Sequence, residues 1–141
     1  MSNCVGKLPI EVSAMKSKNS SKTPPKDGVC KVTFTDGTLA AAGKIAKGKK
    51  TGTWKYYFRN GLLKASGKYA DDLLEGPWKW YRESGTLMQT GSFKKSVQSG
   101  LWKRYQENGE LRDAGKFADG KKTGEWKYFD KSGKLTRTKT F

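Results

Sequence analysis

Histidine is absent from this sequence, which removes the commonest general base and metal ligand. Only two cysteines occur, Cys4 and Cys30. Without histidine they cannot complete a zinc site, and one bridge at most is not a disulfide framework. No apolar run approaches the ~18–20 residues of a membrane span, and the N-terminus has no apolar signal core. The chain is therefore expected to be soluble and cytoplasmic. One alternative is kept: Met1-Ser2-Asn3-Cys4 has the look of a lipoprotein start left after removal of a signal peptide, which would make the protein exported or lipid-anchored. Apolar residues are scarce as well, at 34%, and 17 glycines lift the total only part of the way to the ~45–50% usual when glycine is counted. A large closed core is excluded.

Aromatic residues and positive charge are abundant. Five Trp, six Tyr and six Phe make 12% of the chain, too many for a disordered polymer. Twenty-nine Lys and Arg against 13 Asp and Glu give a net charge of +16, which favours anionic partners without choosing among them. Few aliphatics with many rings and glycines describe a thin sheet covered by aromatics.

A 24-residue period organises the chain. Gly52, Gly76, Gly100 and Gly124 fall on it, as do Trp54, Trp78, Trp102 and Trp126, each followed by a lysine. Gly61, Gly85, Gly109 and Gly133 keep the same step, with Leu63, Leu87, Leu111 and Leu135. One step back lies a degenerate copy with Cys30 in the Trp place. Five copies result: a cap repeat over 28–51, then 52–75, 76–99, 100–123 and 124–141. Residues 1–27, with Pro24-Pro25 and many Lys and Ser, read as a basic, partly disordered arm, in which Val5–Val12 could add an edge strand.

Each copy reads as a β-hairpin. The β-formers of residues 54–58 run into Asn60-Gly61, a type I′ turn signal. That turn pairs Phe58 with Leu63, Tyr56 with Ala65 and Trp54 with Gly67. Alternation then places Trp54, Tyr56, Phe58, Leu63, Ala65, Gly67 and Tyr69 on one face and Lys55, Tyr57, Lys64 and Lys68 on the other. Gly67, Gly91 and Gly115 leave room for the opposed indole to lie over backbone. Spacers such as Ala70–Glu75 link the hairpins. A lone hairpin is marginal in water, so the copies must join. The fold expected is all-β, an elongated antiparallel meander of five 24-residue hairpin repeats.

The pattern G-x-W-K-[YW]-Y-x-x-x-G-x-L-x-x-x-G-x-[YF] resembles the variant MORN repeat, found in bacterial proteins often classed as YwqK-type antitoxins. The resemblance covers residues 28–141, with a departure at Cys30. It implies an extended hairpin array and a non-enzymatic binding role. MORN-type arrays elsewhere are linked with protein scaffolding and phospholipid binding.

Two surfaces are candidates for binding. One is basic: the column Lys31, Lys55, Lys79, Lys103 and Lys127, with Arg104, and a rim from Lys47, Lys49, Lys50, Lys94, Lys95, Lys121 and Lys122. Like positions on alternate strands recur every ~9.6 Å, which suits a line of acidic side chains as well as a phosphate backbone. The other is aromatic: position 56 varies among copies, which nominates Tyr56, Trp80 and Tyr128 as contact residues, while Trp54, Trp78, Trp102, Trp126, Gly67, Gly91 and Gly115 read as structural core. Gly48-Lys49-Lys50-Thr51-Gly52 lacks phosphate-loop spacing and reads as a turn. Asp71, Asp72 and Glu75 form the one acidic cluster and read as partners of neighbouring lysines. No nucleophile–base set can be assembled, so no catalysis, cofactor or metal is expected. The function expected is binding and inhibition of a protein with an anionic surface, such as a nuclease or nucleoprotein complex. Direct RNA or DNA binding and attachment to anionic lipid are the alternatives, and edge-to-edge self-association is an open option.

Overall fold

The computed structural model describes residues 27–141; the N-terminal arm, with Cys4 and the Val5–Val12 segment, lies outside the described residues. Ten strands follow one another: β1 (Gly28–Thr33), β2 (Leu39–Ala46), β3 (Lys49–Tyr57), β4 (Leu63–Ala70), β5 (Leu73–Tyr81), β6 (Leu87–Lys94), β7 (Val97–Tyr105), β8 (Leu111–Ala118), β9 (Lys121–Phe129) and β10 (Leu135–Thr140). They form a single antiparallel sheet in sequence order, so strand pairing runs only between strands adjacent in sequence. The all-β hairpin meander expected from the period is the fold observed.

Two kinds of turn alternate. At one end of the sheet, Lys47-Gly48, Asp71-Asp72, Lys95-Ser96 and Asp119-Gly120 all have positive φ, from 50° to 81°. These are two-residue turns of the I′ kind, whose twist matches the flanking strands. The residues read as spacers are thus this turn plus the paired ends of two strands. At the other end the Asn60-Gly61 turn is not type I′. Gly61 takes φ 91° while Asn60 does not, and Phe58 N donates to Leu62 O while Gly61 N donates to Phe58 O, both at 2.9 Å. Arg59, Asn60 and Gly61 make a three-residue loop with glycine in the left-handed position. Asn60 is held there by its own side chain, whose Oδ1 accepts from Leu62 N at 2.9 Å while Nδ2 donates to Glu83 O of the next loop at 3.0 Å.

The longer loop shifts the pairing beside it. Trp54 faces Gly67 and Tyr56 faces Ala65 as expected, but Tyr57 rather than Phe58 faces Leu63, leaving Lys64 as an extra residue. One extra residue reverses which face a side chain serves. Leu63 is therefore brought opposite Tyr57, and Phe58 leaves the strand, with the Lys64 ammonium 5.7 Å above its ring. A second irregularity explains the glycine two before each Trp. Gly67 faces Trp78 but Lys68 faces Glu75, so Gly76 and Pro77 have no partner on β4 although they pair with Phe93 and Ser92 of β6, with Gly76 at φ 76°.

The core is a ladder of rings on one face. Trp54 is completely buried, and Trp78, Trp102 and Trp126 nearly so. Each indole settles over a glycine of the strand before it: Trp54 over Gly43, Trp78 over Gly67, Trp102 over Gly91, Trp126 over Gly115. The ring over Gly67 thus comes from the following copy, not from Trp54 within the same one. Each indole Nε1 donates to a carbonyl of that same preceding strand, on Lys44, Lys68, Ser92 and Lys116, at 3.0 to 3.2 Å. Between consecutive indoles stands Tyr69, Phe93 or Phe117, edge-on at 5.3 to 6.5 Å. The first copy closes the ladder with small groups: Cys30 takes the Trp place, is buried, and is disulfide-bonded.

Candidate functional site

The two faces of the sheet differ in what they expose. On the face away from the indoles, cross-strand pairing strings Lys31, Ala42, Lys55, Ser66, Lys79, Thr90, Lys103, Ala114, Lys127 and Thr138 into one unbroken row. Lys55, Lys79, Lys103 and Lys127 thus have a small neighbour on both sides, and Lys31 has Ala42 on one. The intervening Ala, Ser or Thr cannot cover the aliphatic stems. Four of the five lysines are exposed and Lys103 is half-buried. The two ion pairs formed between described residues, Arg59–Asp36 and Arg104–Asp113, use none of them.

Beside this row, two residues or about 7 Å further along each strand, runs a second one. Tyr57 faces Leu63, Tyr81 faces Leu87, Tyr105 faces Leu111 and Phe129 faces Leu135. These rings are half-buried and present one side outward. Sequence reasoning placed Tyr57 on this face but did not nominate the row; the signal was the recurrence of a ring three residues after each Trp. The rows together make a strip of lysines flanked by an apolar strip.

The residues nominated from position 56 lie on the other face. Tyr56 is buried, at 6% exposure, and shares a hydrogen bond of 2.7 Å with Tyr69. Burial pushes both phenols above their ordinary value. Tyr56 belongs to the core rather than to an accessible surface. Trp80 is wedged between Trp78 and Trp102, at 6.0 and 5.6 Å, near parallel to both. Tyr128 is half-buried, with the Arg137 guanidinium 4.2 Å above its ring. Arg104 departs from the lysine row altogether: its side chain lies on the Trp face and grips Asp113 through Nε at 3.0 Å and Nη2 at 2.6 Å. That bidentate bond holds the guanidinium above its already high ordinary value. Asp113 is a buried acid at 3% exposure.

The basic rim is divided. Lys47 and Lys95 sit in the two-residue turns, Lys49, Lys50, Lys121 and Lys122 open β3 and β9, and Lys94 closes β6. Lys50 and Lys122 fold inward, their ammonium groups 5.5 Å from the Trp54 ring and 4.6 Å from the Trp126 ring. Asp72 and Glu75 are occupied by backbone: Asp72 accepts from Lys50 N at 2.7 Å and Glu75 from Lys95 N at 2.9 Å. Among the described residues no group of three or more acids or cysteines is placed to hold a metal. Gly48 is the second residue of its turn and a strand follows it, so the neighbouring lysines form no phosphate loop. Among the same residues no helix is long and apolar enough to cross a membrane.

No curated protein matches the chain closely enough to count as a relative. Among solved structures, a crystal structure of a GtfA/B complex bound to UDP and GlcNAc is similar at 15% identity, with a TM-score of 0.34. That likeness covers 94% of this chain and only 26% of the other, so the chain spans about a quarter of that protein. The MORN repeat variant pattern matches residues 50–71, 74–95, 98–119 and 122–141, each match lying almost wholly within one strand pair from β3–β4 to β9–β10. With four consecutive matches over more than half of its length, the chain belongs to the MORN repeat variant family.

Proposed function

We propose that this protein is a non-enzymatic binding module that lays its lysine-bearing face on an acidic surface of a partner protein and inhibits that partner by covering it. The observation that carries this reading is the lysine row of β1, β3, β5, β7 and β9, flanked by the Tyr57, Tyr81, Tyr105 and Phe129 row. The lysines supply attraction and orientation, while the ring row supplies apolar contact that survives salt. Their repeat of about 9.6 Å equals the spacing of like positions on another sheet. It departs from the roughly 7 Å per nucleotide of an extended single strand, a geometric estimate for backbone tracking by basic grooves. An enzyme acting on nucleic acid, with carboxylates clustered in its own site, is a partner of the right chemistry for an antitoxin-like inhibitor. Membership of a repeat family common in binding scaffolds supports the same reading, as does the engagement of Asp113 and Glu75 in structural bonds.

The test is capture of partners from the native host by the full chain and by Lys55→Glu with Lys79→Glu, a change on the exposed face that leaves the ring ladder intact. The reading expects a protein captured by the parent chain, retained at moderately raised salt, and lost with the variant. Capture of nucleic acid alone, with affinity falling steeply between about 50 and 200 mM salt, overturns it in favour of direct nucleic-acid binding.

A further inference from the structure

Along the Trp face the indoles are interleaved with a second set of rings until the fourth copy. Trp54, Tyr56, Trp78, Trp80 and Trp102 succeed one another at 6.2, 6.4, 6.0 and 5.6 Å, each inclined by only 29° to 31° to the next. After Trp102 the next member should come from position 104, between Trp102 and Trp126. Arg104 occupies it, and Asp113 draws its guanidinium toward β8. Trp102 and Trp126 consequently meet only through Phe117. At the missing ring lies a cavity of about 230 Å³, with Trp102 and Trp126 in its walls.

The polar groups around this cavity are also peculiar to it. Gln89 faces Arg104 where earlier copies have Ala41 and Ala65, and Gln98 stands where the previous copy has Leu74. Each of these primary amides brings a donor and an acceptor to the lining, and Lys122 adds a positive charge. A cavity below the ~300–1,000 Å³ typical of drug-sized ligands admits a single planar ring system. The groups that would suit it are flat, carry hydrogen-bonding edges, and bear a nearby negative charge.

We propose that the slot between Trp102 and Trp126 binds the base of a nucleotide, which completes the interrupted ring stack while Gln89 and Gln98 engage polar groups at its two ends and Lys122 its phosphate. This inference does not depend on the lysine face, which lies on the opposite side of the sheet. A ligand here would be either a free nucleotide or one base of a single strand.

Titration of the full chain with AMP, UMP, ribose 5-phosphate and a short uridine oligonucleotide, read by tryptophan fluorescence, tests the proposal. Saturable quenching by AMP or UMP is expected, with little response to ribose 5-phosphate. Tighter binding of the oligonucleotide identifies a strand as the source, and equal affinity identifies the free nucleotide. Two variants test the slot in different ways, one filling it and the other removing an amide from its lining. Arg104→Tyr with Asp113→Ala transplants the Tyr56–Ala65 pair of the second copy, and Gln98→Leu transplants Leu74 of that same copy. Each should weaken nucleotide binding about tenfold or more, in keeping with the weight of base stacking on aromatic side chains. Lys55→Glu with Lys79→Glu should leave it unchanged. Ribose 5-phosphate matching AMP, parental affinity in both slot variants, or no saturable response to any nucleotide would overturn the proposal.

Discussion

The indole of Trp78 lies against the backbone of Gly67, and its Nε1 donates to the carbonyl of the very next residue, Lys68, at 3.1 Å. Ring and hydrogen bond fix the two strands at one register. A Cβ on Gly67 would fall inside the ring system, so Gly67→Ala forces the indole away and breaks both contacts. Urea denaturation of this variant should show a loss at or above the upper end of the ~1–3 kcal/mol of overpacked cores. Gly91→Ala should behave alike, because Trp102 repeats the arrangement.

The Arg104–Asp113 pair predicts an asymmetry. Arg104 keeps its side chain 46% exposed, whereas that of Asp113 is 4% exposed. Arg104→Ala strands a buried carboxylate and should approach the ~3–5 kcal/mol cost of breaking such a pair. Asp113→Ala leaves a cation that can turn to water, and should cost clearly less. Chemical denaturation of the two single variants gives the comparison.

Alkaline stability is set by Tyr56 and Tyr69. Burial raises both phenols in the folded state, so the folded chain holds these protons more tightly than the unfolded one. Their contribution is fully present below the ordinary tyrosine value of about 10 and is lost as pH rises above it. The melting temperature should therefore fall beyond about pH 10. In Tyr56→Phe, where one of the two phenols is gone, the fall should be shallower.

Lys47 adopts φ 54°, a conformation that asparagine tolerates better than lysine. Lys47→Asn completes an Asn-Gly turn with Gly48 and keeps the backbone N–H that donates to Asp27 at 2.6 Å. A stabilisation on the order of 0.5 kcal/mol is expected, measured as a raised melting temperature.

Much of this was legible in the sequence because the repeat and the sheet share a period. The spacing of Trp54 and Gly67 around Asn60-Gly61 was enough to pair them correctly. What escaped was local and depended on counting residues in a loop. Asn-Gly serves both a two-residue and a three-residue turn, and the extra residue moved Leu63 opposite Tyr57. Arg104 and Asp113 were separable from the lysine column in principle, since the register that pairs Trp102 with Gly115 also sets these two opposite each other. Reading Arg104 as one more cation on a basic protein concealed that. Variation along its column nominates Trp80 as a contact residue. In a one-layer sheet the same variability is how successive copies fill the gap between indoles.

The indole-over-glycine contact also gives the sheet a polarity. Each repeat offers a ring to the copy before it and a bare backbone to the copy after it. The end strands lack the half that would be needed next: β1 carries Cys30 where the ring should be, and β10 carries Lys139, paired with Trp126, where the glycine should be. The lock between copies is therefore directional, and neither Cys30 nor Lys139 supplies its half of it.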